Sequence, residues 1–339
     1  MTLVLRPATP GVDGPLLLEA LQTHLGPPAN HDRFNWLYVG GFFGPARAWV
    51  LTDEPGGQFA GAAALFPRLF VERGKMIPGF VLGDFCLAPA FRSLGPGLQL
   101  QRACLRELSN SSAVAAYDFP SPGMEAIYRR LGDQARGNLV RLAKPLRVDS
   151  KMHRQVGFRL GALILSSIGN KFLQWKDRPL RPDNDVEVLL HRGEIGQEFS
   201  SLALRLSEQP GLCVFRSASY LRWRFMEHPY RKYEILVARR GGELAGYFVL
   251  TCDDEQLYIA DLLSTGQPEV LGALAHAAAK LGRESGKETL SISLLREHSW
   301  TNTFCELGFH ERESRPAVLW TAHGSRDQEW FLTDGDRES

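Results

Sequence analysis

The sequence predicts an α+β fold with α/β layering that is built twice, each copy having a mixed central sheet flanked by helices. Strand-like and helix-like segments alternate through residues 3–145, and the same order returns in residues 186–322. The chain has 339 residues, which is more than one hydrophobic core usually supports. We therefore expect a first domain at 1–147, a connecting helical segment at 148–185, a second domain at 186–325 and a tail at 326–339.

Hydrophobic periodicity defines the elements of the first copy. Leu100, Cys104 and Leu108 recur four residues apart, which indicates a helix. The run GFVLGDFCLAP is short and mostly apolar, which indicates a buried strand. In chain order we expect a strand at 3–6, a helix at 14–25, two strands within 46–71, a strand at 79–89, a helix from about 95–97, a strand at 113–119, a helix at 123–131 and a closing strand at 138–146.

Four short stretches recur in the same order in both halves of the chain, which indicates an internal duplication. GGQFAGAAAL matches GGELAGYFVL, and FVLGDFCL matches LYIADLLS. Chance likeness of short Gly-containing hairpins is the alternative, but ordered agreement at four places favours duplication. The register pairs Trp36 with Trp223, Gly61 with Gly246, Asp84 with Asp261 and Tyr128 with Phe304.

Composition and charge argue against several classes of protein. The formal net charge is +1, so no overall field attracts nucleic acid or an anionic membrane. The five cysteines are scattered and form no CxxC pair, which argues against a disulfide framework or a zinc site. The sequence contains neither an HExxH spacing nor a GxSxG elbow. These features predict a cytoplasmic, metal-free protein with no nucleic-acid partner.

Neither the N-terminus nor the most apolar stretch has the pattern of a membrane segment. The N-terminus lacks the basic flank and apolar core of a secretion signal. Arg159 and Lys171 interrupt the apolar residues 156–175 and leave less than a bilayer-spanning length. A helix packed between the domains is therefore favoured over an interfacial membrane helix, and no transmembrane segment is expected.

Residues 91–108, FRSLGPGLQLQRACLREL, place an arginine and two glycines between a predicted strand and a predicted helix. Unpaired N–H groups at a helix start, together with the helix dipole, favour an anion. Glycines let the backbone approach a ligand, and Arg92 can add a charged hydrogen bond. On these residues alone, an anion site and a plain strand-to-helix turn are equally good interpretations.

Two motifs resemble those of the GNAT acyltransferase superfamily. LAPAFRSLGPG is similar to the family's acyl-CoA diphosphate loop, in which Arg or Gln precedes two variable residues, Gly, any residue, and Gly or Ala. FPSPGMEAIYRRLGD is similar to a later signature with Asn, a Tyr seven residues on, and Gly-Phe; here Ser121, Tyr128 and Gly132-Asp133 stand at those places. The resemblance covers residues 3–145 with motifs and 186–322 as a weaker copy. It implies a tandem GNAT protein with a degenerate second half.

The resemblance implies acetyl-CoA, or another acyl-CoA, as co-substrate and assigns roles to residues. Main-chain amides around Cys86 and Leu87 would polarise the acyl carbonyl. Tyr128 would act as general acid, with a packed aromatic as the alternative, and Ser121 would contact the pantetheine arm. Pro96, which lacks an N–H, and Ser121 in place of Asn are departures from the pattern. The diphosphate would lie on Arg92, Ser93, Leu94, Gly95, Pro96 and Gly97.

For the general base and for the acceptor-binding residues, the sequence offers more than one candidate. Asp84 lies near the end of the predicted cofactor strand, where partial burial raises a carboxyl pKa, and Asp118 or water are the alternatives. Asp261, its counterpart in the other copy, favours a structural role for the pair. Arg222 and Arg224 are candidates to hold an anionic acceptor; a salt-bridged helix end is the competing interpretation.

The second copy departs from the motif at the places that matter for a cofactor. Glu269 falls opposite Arg92, and Leu274 falls opposite Gly97, so charge and bulk both oppose a phosphate there. Gly272 is opposite Gly95. We therefore expect a second half without a cofactor site, in which Phe304 serves packing.

Together these features predict an acyl-CoA-dependent N-acyltransferase that acts on a small amine, such as an amino sugar or amino acid, by direct attack in a ternary complex. The alternative function is a CoA-binding or regulatory protein that keeps the fold without turnover. The sequence leaves open whether the chain forms a homodimer.

Overall fold

The chain is described by a computed structural model over residues 2–25, 29–54, 56–132, 137–147, 185–208, 211–322 and 329–338. The predicted connection at 148–185 lies outside these residues except for its last position. The domain boundaries expected above stay a prediction, because the strands of the two halves form one continuous sheet.

The first half follows the predicted order of elements. Its strands are β1 (Thr2–Ala8), β2 (Arg47–Glu54), β3 (Phe59–Glu72), β4 (Lys75–Leu87), β5 (Ala115–Asp118) and β6 (Gly137–Pro145). Its helices are α1 (Pro10–His24), α2 (His31–Phe34), α3 (Leu94–Asn110) and α4 (Pro122–Leu131).

The second half repeats this order from residue 186. Its strands are β7 (Val186–Leu190), β8 (Leu212–Val214), β9 (Glu234–Arg240), β10 (Glu243–Cys252), β11 (Gln256–Ser264), β12 (Thr289–Leu295), β13 (His310–Thr321) and β14 (Trp330–Phe331). Its helices are α5 (Gln197–Ser207), α6 (Ala218–Leu221), α7 (Pro268–Glu284) and α8 (Ser299–Glu306). The mixed sheet with flanking helices confirms the predicted α+β class.

The two halves exchange their late strands. The order across the sheet is β1-β2-β3-β4-β5-β13-β6-β12-β11-β10-β9-β7, with β8 pairing β3 and β14 outside this path. Strand β13 therefore lies beside β5 of the first half, while β6 lies beside β12 of the second. The predicted closing strand of the first copy thus completes the sheet of the other copy. Single-sequence periodicity identifies such a strand but not its partner, because pairing is a long-range choice.

Each half contains a short helix that is followed directly by a π-helical turn. Helix α2 runs into such a turn at Asn35–Val39, and α6 runs into one at Arg222–Met226. The side chains of Asn30 and Ser217 cap the two helices. Trp36 and Trp223, which the sequence pairs, stack on each other with ring centroids 4.8 Å apart. This stack lies where the two copies meet.

The strand exchange leads us to expect one cooperative unfolding unit. A fragment that ends at Leu146 would lose β13 and β12, which leaves β5 with an open edge and β6 with no neighbour. Its core would also lose Trp223 and Trp330, which pack with first-half residues. We expect the full chain to show a single calorimetric transition and the 1–146 fragment to aggregate. Two separated transitions in the full chain, or a soluble active fragment, would show that the halves fold independently.

Candidate active site

The start of helix α3 presents backbone to an open surface. A tight turn at Pro89–Phe91 leads from β4 to Ser93, which has extended backbone and no side-chain cap. The N–H groups of Leu94 and Gly95 precede the first intrahelical bond, so they are free to meet an anion. A Cβ placed on Gly95 would meet nothing within 4 Å, which shows that the approach is open.

Two residues of the predicted diphosphate loop have contacts within the protein. The Arg92 Nε donates to the Leu87 carbonyl at 3.2 Å, and the Arg92 side chain is otherwise exposed. Gly97 is buried, and a Cβ there would lie 2.6 Å from the Cδ1 of Ile127 on α4. Gly97 is therefore needed for helix packing. The residues of the loop that are open to solvent are those from Arg92 to Gly95.

Strands β4 and β5 part to open a cleft. Their parallel pairing runs from Gly79 to Val81 on β4 and ends there. Beyond this point the strands enclose a cleft of about 180 Å³. It is lined by Leu25, Ala63, Ala64, Leu82, Gly83, Asp84, Phe85, Gln101, Cys104, Asp118, Phe119, Pro120, Ser121, Met124 and Glu338.

A bulge in β4 decides which backbone amides face this cleft. Ala63 on β3 lies opposite two residues, Asp84 and Phe85, because the register shifts between Ala62 and Ala64. The Ala88 N–H donates to the carbonyl of Ala60 on β3. By alternation Leu87 turns its N–H and carbonyl away from β3, consistent with the Arg92 contact to its carbonyl. Of the two predicted amides, Leu87 therefore faces the open side and Cys86 faces β3.

The Cys86 thiol is a core group. The residue is 4% exposed, and burial raises the pKa of its thiol to about 12. The thiol is therefore protonated near neutral pH and is no nucleophile.

Asp84, the predicted general base, is held in a buried ion pair. Arg33 donates from both Nη atoms to the two carboxylate oxygens, each at 2.8 Å, and the Tyr38 hydroxyl donates at 2.9 Å. Its φ of +48° places it at the bulge in the left-handed region, which aspartate tolerates better than most residues. The equivalent Asp261 pairs with Arg216 beside a bulge in β11. The shared pairing supports the structural interpretation of Asp84 and Asp261.

Asp118, the alternative base, borders the cleft and forms no ion pair with a described residue, although the charge of Arg337 is near enough to lower its pKa. Burial raises the pKa of its carboxyl to about 7, the Tyr128 hydrogen bond lowers it in part, and Glu338 raises it. The Tyr128 hydroxyl donates to Asp118 Oδ2 at 2.7 Å and accepts from the Gln101 side chain at 2.8 Å. Tyr128 is 2% exposed and is not among the residues that line the cleft. Tyr128 is therefore hydrogen-bonded to Asp118, and its role as general acid stays a prediction.

Ser121 borders the cleft and begins helix α4. Its Oγ accepts from the Met124 N–H at 3.4 Å, so the hydroxyl serves as an N-cap. The family resemblance implies a pantetheine contact here, and Ser121 does border the cleft.

Arg222 and Arg224 lie away from the cleft. Arg222 is exposed and donates to Ser219 Oγ at 3.2 Å. Arg224 is 1% exposed, and its guanidinium donates to the carbonyls of Gly335 and Arg337. Protein carbonyls thus occupy the guanidinium that was expected to bind an anionic acceptor. The carbonyls that accept from Arg224 belong to a segment far away in the chain, and hydrophobic periodicity does not reveal such a contact.

The second half has the corresponding gap, but its own C-terminal segment fills it. The parallel pairing of β11 with β12 ends at Ile259 and Ile292. Beyond it Thr333 bridges to Leu294 and donates from Oγ1 to Asp261 at 2.8 Å. Arg216 closes the gap by binding both Asp261 and Asp336.

The second-half positions singled out in the sequence agree with a closed site. Leu274 and Phe304 are fully buried, and Glu269 is exposed in the first turn of α7. Among the described residues, no group of His, Cys, Asp and Glu side chains is arranged to hold a metal ion. The helices of the described part of the chain are too short or too polar to span a bilayer.

The fold is that of known acyltransferases. No protein-family model matches the sequence, and neither does any curated protein. A GCN5-related N-acetyltransferase from Anabaena variabilis is 12% identical with a TM-score of 0.67; the match covers 94% of this chain and 73% of that one. A conserved protein of unknown function and probable N-acyltransferase from Enterococcus faecalis is 10% identical with a TM-score of 0.66, covering 96% and 74%.

A tandem GNAT protein from the clavulanic acid biosynthesis pathway matches along its whole length. It is 16% identical with a TM-score of 0.56, and the match covers 96% of this chain and 100% of that one. The chain therefore has the GNAT fold in a tandem arrangement, which confirms the resemblance found in the sequence.

Three residues of the cleft region were not identified from the sequence. Arg33 carries no motif and meets Asp84 only through the fold. Gln101 lies three residues before Cys104 on the buried face of α3. A polar side chain among apolar neighbours was the signal in the sequence that could have identified it as a site residue. Glu338 reaches the cleft from the C-terminal segment, which the sequence suggests is only a tail.

Proposed function

We propose that the chain is an acyl-CoA-dependent N-acyltransferase whose first half acylates a small amine. The observation that carries the proposal is the cleft between β4 and β5, which opens beside the free N-terminus of α3 in the first half. The matching gap in the second half is filled. One acyl-CoA is therefore expected per chain, with its diphosphate on the residues from Arg92 to Gly95.

Acyl-CoA supplies an activated thioester carbonyl when bound. The Leu87 N–H, on the open edge of β4, is the donor best placed to polarise that carbonyl. The Ser93 hydroxyl and the Leu94 N–H extend the donor surface for phosphate, whereas the Ser93 N–H donates to the Phe91 carbonyl and Pro96 has no N–H. Acetyl is the expected acyl group.

Asp118 is the proposed general base. An amine that enters as an ammonium ion must lose a proton before it can attack, and a carboxylate with a pKa near 7 accepts that proton at neutral pH. A second proton leaves the nitrogen when the amide forms, and the departing thiolate takes up one of the two. Asp84 keeps its negative charge engaged by Arg33 and is proposed to shape the bulge.

Tyr128→Phe tests how the tyrosine acts. The ring stays buried, but Asp118 loses the hydrogen bond that lowers its pKa. We expect the pH at which activity is half-maximal to move upward, with kcat at high pH within several-fold of the wild-type value. The measurement is the pH profile of kcat with saturating acetyl-CoA. A loss of about 10²–10⁴ at every pH would instead make Tyr128 the general acid inferred from the family resemblance.

The test of the proposed function is thiol release from acetyl-CoA with a panel of small amines, run beside calorimetric CoA binding. Amine-dependent release supports catalysis. Tight CoA binding with no release for any amine would favour the regulatory alternative, and the lack of both would reject the proposal.

A further inference from the structure

The C-terminal segment links the closed gap of the second half to the open cleft of the first. Residues 329–338 pass Thr333 through the second-half gap and end with Glu338 on the wall of the first-half cleft. Strand β14 pairs with β8 at the start of this path. The segment is therefore an ordered part of the site.

Buried hydrogen bonds fix the position of this segment. Arg216 binds the Asp336 carboxylate at 2.8 Å, and Arg224 Nε donates to the Gly335 carbonyl at 2.8 Å. The Tyr117 hydroxyl donates to the Asp336 carbonyl at 2.6 Å. Both arginines are 1% exposed, and charged hydrogen bonds of this kind are strong. A segment held so firmly presents its next side chains in a defined place.

The Glu338 side chain lies against Gly83 with a carboxylate oxygen that lacks a partner. A Cβ on Gly83 would lie 2.5 Å from Glu338 Cγ, so the glycine leaves the space that the side chain fills. Glu338 Oε2 is buried and has no hydrogen-bond partner among the described residues. A buried carboxylate oxygen without a partner is costly and points to a group that binds it from the cleft.

Two carboxyl groups at the cleft, those of Asp118 and Glu338, form no ion pair with a described residue. Arg33 neutralises Asp84, and Arg337 pairs with Asp334 at 3.0 Å. Asp118 and Glu338 have no cationic partner among the described residues that line the cleft. Burial raises the pKa of both carboxyl groups, so a cationic ligand favours their ionised forms and binds them, whereas an anionic ligand is repelled by them.

We propose that Glu338 determines acceptor specificity: with Asp118, it selects an amine that enters as a cation and carries no carboxylate or phosphate. This inference rests on the proposed function and narrows it. It also replaces the anionic acceptor, which Arg222 and Arg224 suggested in the sequence, with a cationic one. Simple diamines and unsubstituted amino sugars have the required chemistry, and free amino acids do not.

Paired substrates test the selectivity directly. Putrescine is compared with ornithine, and phenethylamine with phenylalanine, at saturating acetyl-CoA. Each pair differs by one carboxylate, so we expect kcat/KM to favour the amine without it by about tenfold or more. Equal rates, or a preference for the amino acids, would overturn the proposal.

Substitutions in the full chain test the residue itself. Glu338→Gln is expected to raise the acceptor KM about tenfold or more and to leave the KM for acetyl-CoA unchanged, while Glu338→Asp recovers part of the loss. Gly83→Ala displaces the flexible side chain and should act in the same direction. Glu329→Gln, which removes an exposed carboxylate of the same segment outside the cleft, is the matched control and should leave the acceptor KM unchanged.

The outcomes separate this inference from the proposed function. If the wild-type protein transfers acyl groups and Glu338→Gln has an unchanged acceptor KM, the role of Glu338 is rejected while the acyltransferase stands. Faster transfer in Glu338→Gln than in the wild type would also reject it and identify the side chain as an obstruction. No transfer by the wild-type protein to any amine rejects both.

Discussion

Gly95→Glu is expected to remove CoA binding. The substituted side chain has open space around it, so the fold should be kept, while its charge and bulk fall where the diphosphate is proposed to lie. The lost backbone contacts and the added repulsion together should weaken the dissociation constant roughly 100-fold or more. Calorimetric titration with CoA measures this change, and circular dichroism checks the fold.

Pro268→Glu is the matched control for that change. It adds the same charge at the exposed first turn of α7, the second-half counterpart of α3, where an acidic residue is compatible with the helix dipole. Gly272→Glu is a weaker control because Gly272 is buried and a new carboxylate there would disturb packing. We expect Pro268→Glu to bind CoA like the wild-type protein. Unchanged CoA binding by Gly95→Glu would show that the diphosphate does not bind at this loop.

Asp118→Asn is expected to lower kcat by about 10²–10⁴ because the amide cannot accept the ammonium proton. The wild-type rate should rise with pH and level off above about 7, the pKa that burial gives Asp118, and this dependence should vanish in the variant. CoA affinity should be unchanged, since the α3 loop is untouched. The kcat profile with pH and the CoA titration check both expectations.

Asp84→Asn distinguishes the two carboxylates that the sequence proposes as bases. Loss of the Asp84 carboxylate leaves the buried Arg33 guanidinium without its charged partner. Breaking such a pair typically costs about 3–5 kcal/mol of stability. We expect a lower Tm for Asp84→Asn, whereas Asp118→Asn should keep its Tm and lose kcat. A large loss of kcat in a stable Asp84→Asn protein would return the base role to Asp84.

The fold could be predicted from the sequence where local signals are strong. Strand β4, the start of α3 and the helix at 122–131 follow from apolar periodicity and from the Gly and Pro residues beside them. The duplication was visible because the tryptophan, glycine and aspartate positions recur in order, and the stacking of Trp36 on Trp223 gives that repeat a physical counterpart.

The exchange of β6 and β13 could not be predicted, because either strand has the right pattern to close either half. The same limit applies to the charges. Arg33 with Asp84, and Arg216 with Asp261, are separated by 51 and 45 residues and show no spacing rule. Arg224 looked available for a ligand because its partners lie 111 and 113 residues away in the chain.

The number of CoA molecules bound per chain tests the central claim most directly. The first-half cleft is open beside α3, while Thr333 and Asp336 fill the second-half gap, so calorimetric titration of the wild-type chain should give one site. A stoichiometry of two would contradict the closed second half, and an absence of binding would contradict the cleft as an acyl-CoA site.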